Sequence, residues 1–454
     1  MNRGIALLTF AEILDDTRPG SHRVACRNGE RIDLAQLRGE VAHNAENFER
    51  LGVRRAVLHC EDGYGFVVAL LALLRIGADI VMPPNLQPGT IAGLCDRFDA
   101  IVTDQAASAL ARRIALEPAA PSARPFRFDA SLSRIDFFTS GSTGAMKRLE
   151  KRAAMLEREA AMLERRWGER IPDATHLGTV THQHIFGLAF RIVWPLLAGR
   201  PFDGAVHFAW ETLLGQLPRG AVVVSSPAHL SRLGGLSPIA PERRPALIFT
   251  AGAPLPAAAA RDCTAIIGGT LVEIFGSTET GAFAWRSGPD QPLWHPLPGV
   301  EVSSSAAGLL QVRSPALADG ECCALADRIT PAEGGSFRFE GRADRIVKVE
   351  GKRVSLQKLE QDLIALPWIG AAAVVPVTGE RVVLGAVVAL SQAGSAELSR
   401  LGKFRFERLL RRALATSHDA AALPRRWRFV SELPLDGMGK RRSADLLALL
   451  EASA

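Results

Sequence analysis

The sequence predicts an α/β protein with a large N-terminal domain of parallel sheets covered by helices, a small β-rich subdomain, and a small α+β C-terminal domain. Its 454 residues exceed what a single hydrophobic core organises, so two or more domains are expected. Apolar strand-like runs alternate with helix-like segments through about residue 285, which is the pattern of parallel strands buried between helices. The pattern then changes to short strands and turns, and from about residue 346 to an α+β alternation.

The first part of the chain alternates strands with a buried helix. The run GFVVALLALLRIGA predicts that helix at 65–78, and Arg75 ends its apolar stretch before it reaches the length that spans a bilayer. Apolar runs bounded by charged or turn residues predict strands at Arg54–Cys60, Asp79–Asn85, Asp99–Asp104 and Ser133–Ser140. The strand–helix–strand order favours a parallel sheet for these strands.

The segment Met146–Gly168 predicts one amphipathic helix. Leu149, Leu156 and Leu163 recur at helical spacing with charges between them, and Gly168 marks the end. Further strands are predicted at Gly220–Ser226, Pro245–Gly252 and Gly269–Gly276, and the β-rich subdomain from Pro289 to about Phe339.

The C-terminal part predicts a compact domain of roughly a hundred residues. Two helical segments, at 355–366 and 402–415, alternate with strand-like runs at 371–377, 381–390 and 427–433. The small polar residues of Ser391–Ser399 predict a surface loop.

Composition narrows the function classes. The net charge of +6 is mild for this length and suits anionic small molecules or an acidic partner. A single tyrosine argues against a base-stacking surface, so no nucleic acid is expected. The six cysteines form no C-x-x-C pair and no zinc-ligand pattern, and the N-terminus lacks the features of a signal peptide. We therefore expect a cytoplasmic protein with reduced cysteines and no membrane span.

The stretch FFTSGSTGAMK, Phe137–Lys147, is the first chemical motif. Glycines and hydroxyls between a strand and a helix-like segment can offer N–H and O–H groups to a phosphate, and the same composition also suits a flexible turn. The loop alone leaves both readings open. A Walker A loop is excluded, because Met146 stands where its second glycine is required and Arg148 where Ser or Thr is required.

This stretch resembles the phosphate-binding loop of the adenylate-forming ligases, whose pattern is T-S-G-S-T-G-x-P-K-G. Lys147 matches the lysine of the pattern, while Met146 and Arg148 replace its proline and its final glycine. The resemblance implies that the loop binds the phosphates of ATP. The matching loop residues are Thr139, Ser140, Gly141, Ser142, Thr143 and Gly144.

The segment IFGSTETG resembles the Y-G-x-T-E motif of the same family. The resemblance implies that Phe275 stacks on adenine beside Gly276, that Thr278 contacts the α-phosphate, and that Glu279 binds Mg²⁺. A carboxylate oxygen suits this hard cation, and a helix N-cap after a strand is the alternative reading of Ser277 taken on its own. TAGAPLP resembles the family segment whose backbone lines the adenine pocket, which implies a role for its members Gly252 and Ala253.

Two further matches follow at the predicted domain junction. Asp327 stands where the family has the aspartate of T-G-D, with Leu325 and Ala326 replacing Thr-Gly, and GRADR resembles the family's hinge sequence. The resemblance implies that Asp327 and Arg342 bind the ribose and that Asp344 is the hinge. The expected division is an adenylation core at 1–341, a hinge at 342–345 and a mobile lid domain at 346–454.

The last matches concern the reacting acid. Lys440, in LPLDGMGKRR, resembles the catalytic lysine of the C-terminal P-x-x-x-x-G-K motif, with Arg441 departing from the usual residue after it. His184, in THQHIFGL, resembles the gating residue beside the carboxylate pocket. A metal-binding pair of His182 and His184 is the competing reading, but no third ligand is evident.

The resemblance covers nearly the whole chain, from about Ala69 to Leu446, and the compact length is similar to ligases of aryl-polyene and xanthomonadin-type pathways. It implies ATP- and Mg²⁺-dependent activation of an aryl or acyl carboxylic acid to an acyl-adenylate, followed by transfer to CoA or to the phosphopantetheine of an acyl carrier protein. Two other classes remain open: a non-catalytic nucleotide-binding module of the same fold, and a phosphotransferase that forms ADP.

Overall fold

The computed structural model describes residues 7–105, 112–122, 124–140, 146–349, 352–377, 382–416, 418, 420, 423–435 and 441–452. By its internal contacts the chain divides into two compact units. The first consists of Met1–Ser303, Gln311–Cys323 and Ala332–Phe337, and the second of Ser304–Leu310, Ala324–Pro331 and Arg338–Ala454. Residues 338–345 thus group with the C-terminal part, and the division into core, hinge and mobile lid stays a prediction.

Helices and strands alternate along the described residues. The helices are α1 Phe10–Ile13, α2 Leu34–Arg50, α3 Gly63–Arg75, α4 Pro88–Ala92, α5 Ala153–Trp167, α6 Ile185–Gly187, α7 Trp194–Ala198, α8 Trp210–Gln216, α9 Pro227–Leu230, α10 Ala257–Ile266, α11 Leu356–Ile364, α12 Gln392–Leu401, α13 Lys403–Leu414 and α14 Ser443–Glu451. The strands are β1 Arg23–Arg27, β2 Glu30–Asp33, β3 Arg55–Leu58, β4 Asp79–Met82, β5 Ala100–Val102, β6 Arg113–Ile114, β7 Arg134–Ser140, β8 Met146–Arg152, β9 His176–Gly178, β10 Phe202–Asp203, β11 Val222–Ser225, β12 Leu247–Ala251, β13 Thr270–Ser277, β14 Gly281–Arg286, β15 Leu293–Pro296, β16 Glu301–Ser304, β17 Leu309–Arg313, β18 Cys323–Pro331, β19 Phe337–Arg342, β20 Ile346–Val349, β21 Lys352–Ser355, β22 Ile369–Val377, β23 Val383–Leu390 and β24 Arg426–Val430.

The first unit contains two sheets, and the predicted α/β class is confirmed. One sheet has the order β6-β5-β3-β4-β7-β8, in which β6 to β7 run parallel and β8 is antiparallel. The part of the large sheet in this unit runs β15-β14-β13-β12-β11-β9-β10-β1-β2, with parallel strands in its centre. The carboxyl ends of the parallel strands β9, β11, β12 and β13 therefore lie along one edge.

The predicted helix over Met146–Gly168 is wrong in its first seven residues. Met146–Arg152 forms strand β8, which pairs with β7 from Ser140 opposite Met146 to Arg134 opposite Arg152, and the helix begins at Ala153. The strand lies at the edge of its sheet, where alternating charges are tolerated: Arg148 Nε lies 2.9 Å from Asp136 Oδ2. Pairing with a buried neighbour strand overrides the helical spacing of the leucines.

The predicted loop over Ser391–Ser399 is also wrong, since α12 occupies this segment. The hydroxyl of Ser391 caps the helix by accepting a hydrogen bond from the Gly394 amide at 3.0 Å. A Cβ at Gly394 would collide with the carbonyl oxygen of Trp368, so the glycine that suggested a loop allows close packing of a helix. The low-complexity composition concealed a capped helix.

Each unit buries its own apolar residues. In the first unit α3 is buried from Gly63 to Leu74, as its continuous apolar sequence predicts, and Trp167 packs edge-on against Phe249 with ring centroids 4.9 Å apart. In the second unit α11 and α13 cover the antiparallel strands β22 and β23, with Leu359 and Phe406 fully buried. No helix in the described ranges is long and apolar enough to cross a membrane.

Candidate active site

The predicted phosphate loop lies between the paired ends of β7 and β8. Thr139 and Ser140 contribute the last backbone positions of β7, with Thr139 opposite Lys147. The predicted residues Gly141, Ser142, Thr143 and Gly144 lie outside the described residues. Because β7 lies beside the parallel strand β4, the hairpin extends the carboxyl edge of that sheet.

Lys147 and Glu279 form an ion pair in the first unit. Lys147 Nζ lies 2.7 Å from Glu279 Oε1, although the residues come from different sheets and are separated by 132 positions. Burial opposes ionisation of the carboxyl, but hydrogen bonds from Lys147 and from backbone and Ser277 groups outweigh burial and lower the pKa of Glu279. The site therefore presents an ionised carboxylate beside an ammonium group.

A tight turn carries Thr278 and Glu279. The Ser277 amide donates to Thr280 Oγ1 at 3.1 Å, and the Thr280 amide donates to Ser277 Oγ at 3.2 Å, so the two hydroxyl residues close the turn reciprocally. A Cβ at Gly276 would lie 2.6 Å from the carbonyl oxygen of Gly281, which explains why this position needs glycine. Thr278 is buried within this turn.

Two buried ionisable side chains, Lys151 and Glu159, bind the backbone of the same turn. Lys151 Nζ donates to the carbonyl oxygen of Glu279 at 2.6 Å, and Glu159 Oε1 accepts from the Ala282 amide at 2.8 Å. Burial lowers the pKa of Lys151 and raises the pKa of Glu159, and each partially offsets the shift of the other through its opposite charge. Sequence reasoning missed both. A signal existed for Glu159, which lies on the apolar stripe of α5 between Leu156 and Leu163.

The predicted adenine residues lie on adjacent parallel strands. Gly252 and Ala253 directly follow β12, which pairs with β13 up to Ala251 opposite Ile274, and Phe275 comes next on β13. Gly252 has a φ of +92°, a backbone conformation that favours glycine. The half-buried ring of Phe275 packs against Phe283, Trp294 and Phe337, at centroid distances of 4.9, 5.0 and 6.2 Å. Stacking of Phe275 on adenine stays a prediction.

The two histidines after β9 have different environments. His184 is half-buried and caps α6, its Nδ1 accepting from the Phe186 amide at 3.3 Å. His182 is fully buried, and its Nε2 donates to the carbonyl oxygen of Cys60 at 2.8 Å, which also accepts from Gln183 Nε2 at 2.7 Å. Burial lowers the pKa of His182 to about 3. Among the described residues, no group of three or more His, Cys, Asp or Glu side chains could hold a metal ion.

In the second unit the two predicted ribose residues are neighbours. Asp327, on β18, is almost fully buried, and its Oδ2 lies 3.8 Å from Nη1 of Arg342 at the end of β19. The next residues, Ala343–Arg345, form a 3₁₀ turn that contains the backbone of Asp344. Lys440 lies outside the described residues.

The comparisons with known proteins agree with the resemblance. Residues 134–310 match the family described as AMP-binding enzyme. The chain is 29% identical over 312 residues to 4-coumarate–CoA ligase of Cereibacter sphaeroides, which covers 68% of this chain and 70% of that protein. It is 30% identical over 311 residues to 4-coumarate–CoA ligase of Rhodobacter capsulatus, which covers 68% of this chain and 75% of that protein.

Solved structures share the fold over nearly the whole chain. ATP-bound MatB from Rhodopseudomonas palustris superposes with a TM-score of 0.79 at 20% identity, covering 100% of this chain and 99% of that chain. O-succinylbenzoate CoA synthetase from Bacillus subtilis, in complex with AMP, superposes with a TM-score of 0.76 at 16% identity, covering 94% and 96%. The solved structures show the shared fold, and the sequence relatives show that the chain belongs to the adenylate-forming acid–CoA ligases of the AMP-binding enzyme family.

Proposed function

We propose that the protein uses ATP to convert a carboxylic acid, aryl or acyl, into an acyl-adenylate and pyrophosphate, and then transfers the acyl group to a pantetheine thiol. The observation that carries the proposal is the 2.7 Å pair of Lys147 and Glu279, which combines a cation for phosphate oxygens with a carboxylate for the accompanying metal ion. Aryl acids are the first class to test, because the relatives named above include 4-coumarate–CoA ligases.

The first half-reaction joins two anions that repel each other. A carboxylate oxygen attacks the α-phosphorus of ATP, and the bond to pyrophosphate breaks. Lys147, the N–H groups of the predicted loop and Lys440 would offset the charge that builds on the phosphate oxygens, while Thr278 would orient the α-phosphate. His184 would border the pocket of the acid, and Asp327 with Arg342 would hold the ribose.

Magnesium fits the site as a companion of ATP. Glu279 supplies one ionised carboxylate, which already attracts the ammonium of Lys147 and supports its proposed role as a ligand of the metal ion. One carboxylate plus phosphate oxygens and waters is a common Mg²⁺ environment, whereas an all-protein cage would need more ligands. When bound, the ion would supply Lewis-acid stabilisation of phosphate charge.

The second half-reaction needs a thiol where the first needs a lysine. The resemblance implies that residues 346–454 rotate about Asp344, which removes Lys440 and admits the pantetheine of CoA or of an acyl carrier protein. The thiol sulfur then attacks the acyl carbonyl carbon, the thioester forms, and AMP leaves. The acyl-adenylate is a mixed anhydride and is hydrolysed by water, so exclusion of water from the site between the two steps would protect it. CoA is the first acceptor to test, because the relatives named above are CoA ligases.

A pyrophosphate-release assay with a panel of aryl and fatty acids tests the proposal, run with ATP and Mg²⁺ and then with CoA or a pantetheinylated carrier protein. We expect AMP and pyrophosphate with at least one acid, and a thioester with one acceptor. Nucleotide binding without turnover of any acid would favour the non-catalytic module. Formation of ADP in place of AMP would favour a phosphotransferase.

A further inference from the structure

The turn that carries Glu279 is held at both ends by side chains from outside its own hairpin. Lys151, on β8, donates to the carbonyl oxygen of Glu279, and Glu159, on α5, accepts from the amide of Ala282. Only 4% of Lys151 and 3% of Glu159 is exposed to solvent. The two contacts fix the backbone immediately at Glu279 and three residues after it.

Placing two charges in the interior is costly unless each is well compensated. A buried ammonium that serves one carbonyl oxygen loses much hydration, so an uncharged side chain would satisfy a purely structural role at lower cost. The opposite charges of Lys151 and Glu159 reduce this cost. Gly281 leaves space for the Glu159 carboxylate, since a Cβ at this position would lie 2.8 Å from Glu159 Oε2. Lys151, Glu159 and Gly281 together therefore support the turn that carries Glu279.

The contact made by Lys151 is also placed to affect Glu279 specifically. The Lys151 ammonium donates to the backbone carbonyl oxygen of Glu279, and the Lys147 ammonium donates to the side-chain carboxylate of Glu279. Both lysines lie on strand β8. Strand β8 therefore contributes two lysines, four positions apart, to one glutamate. Lys147 contacts the partly exposed carboxylate of Glu279, and Lys151 contacts its backbone. The backbone contact fixes the position from which the Glu279 side chain extends.

We propose that Lys151, compensated by Glu159, is a positioning residue that aims Glu279 at the metal ion of the ATP complex. This inference rests on the proposed function, in which Glu279 is the metal ligand. Its consequence is that the affinity for metal–nucleotide depends on a lysine that touches neither the metal nor the nucleotide. The affinity for metal-free ATP should depend on it much less.

The test uses the full chain and three variants. Lys151→Met removes the donor and leaves an unbranched side chain one atom shorter. Lys151→Met/Glu159→Gln removes both charges while keeping an acceptor for the Ala282 amide. Arg286→Met is the matched control, because it removes a half-buried cation that pairs with the buried Glu273 at 2.8 Å on the same β13–β14 hairpin, away from the turn. Thermal unfolding measures the stability of each variant.

The decisive readout is binding without turnover. Calorimetry gives the dissociation constants of Mg²⁺–ATP and of ATP in EDTA, and the pyrophosphate assay gives the Mg²⁺ concentration for half-maximal rate. We expect the double variant to recover much of the thermal stability lost by Lys151→Met, yet to bind Mg²⁺–ATP about tenfold more weakly with little change for metal-free ATP, as expected for loss of a charged hydrogen bond. Arg286→Met should change stability without a selective loss of Mg²⁺–ATP binding.

Two results would overturn the inference. Parent-like Mg²⁺–ATP binding in a folded double variant would make the pair merely structural, and equal weakening with and without metal would make its effect general. If Lys151→Met does not fold, the double variant alone decides. Failure of the proposed function is a separate outcome, recognised by a parent protein that forms no adenylate with any acid.

Discussion

Glu279→Gln tests the metal assignment with the smallest change that the site allows. The amide keeps the shape of the side chain and an oxygen that can accept from Lys147, so only the charge is lost. The Lys147–Glu279 pair is partly exposed, with 58% and 31% of the two side chains accessible, and its removal should lower the free energy of unfolding by less than about 1 kcal/mol. The fold should therefore survive.

The expected effect on the metal is larger. Contacts that involve a charged group contribute about 1.5–3 kcal/mol net, which corresponds to roughly ten- to a hundredfold in affinity. Water reaches the glutamate, so we expect the Mg²⁺ concentration for half-maximal pyrophosphate release to rise by about ten- to a hundredfold. Titration of Mg²⁺ at fixed ATP measures it.

A control variant separates loss of this charge from loss of any charge on the hairpin. Glu150→Gln removes a carboxylate of β8 that pairs with Arg148 at 3.1 Å and is 44% exposed. This variant should keep the parent requirement for Mg²⁺. The reasoning fails if Glu279→Gln also keeps the parent requirement and rate, because Glu279 would then not belong to the metal site.

Four further predictions concern stability and the two half-reactions. Burial lowers the pKa of both His176 and His182 to about 3, so protonation favours the unfolded state once the pH falls below the unfolded pKa of 6.5. At pH 5 each histidine should therefore lower the free energy of unfolding by about 2 kcal/mol relative to pH 7. His182→Gln should flatten the decline of the melting temperature between pH 7 and 5. Gly281→Ala, at a φ of +66° and against Glu159, should cost about 1–3 kcal/mol in chemical denaturation, and an unchanged midpoint would contradict the close contact. Lys440→Ala should abolish adenylation while sparing thioester formation from supplied acyl-adenylate, and equal loss in both assays would reject the assignment. Asp344→Pro should stop one half-reaction and leave the other within about tenfold, whereas parent rates in both would refute a hinge there.

The sequence predicted the parallel sheets because their strands are continuously apolar and bounded by turn residues. The helix prediction failed at Met146–Arg152, because Leu149 continues the leucine spacing of α5 and only the pairing with β7 makes this segment a strand. The loop prediction failed at Ser391–Ser399, because composition hides the serine cap of α12. In the first case a contact distant in sequence overrides a local preference, and in the second a local helix cap outweighs the composition.

For the candidate site, the sequence supplied residues but not their mutual geometry. The motifs singled out Lys147 and Glu279 separately, and the structure adds their 2.7 Å contact. Lys151 and Glu159 belong to no motif and look like ordinary solvated charges, since their burial arises only when β8 and α5 pack beneath the turn. The one sequence feature that indicated burial was the position of Glu159 within the apolar stripe of α5.

The carbonyl oxygen of Cys60 links parts of the first unit that share no strand. Cys60 follows β3 in the six-stranded sheet, while His182 and Gln183, which both donate to this oxygen, follow β9 in the large sheet. With both lone pairs engaged in the interior, neither donor can leave without stranding a buried polar group. A displacement of one sheet would therefore be passed on to the segment that carries His184, the residue proposed to border the acid.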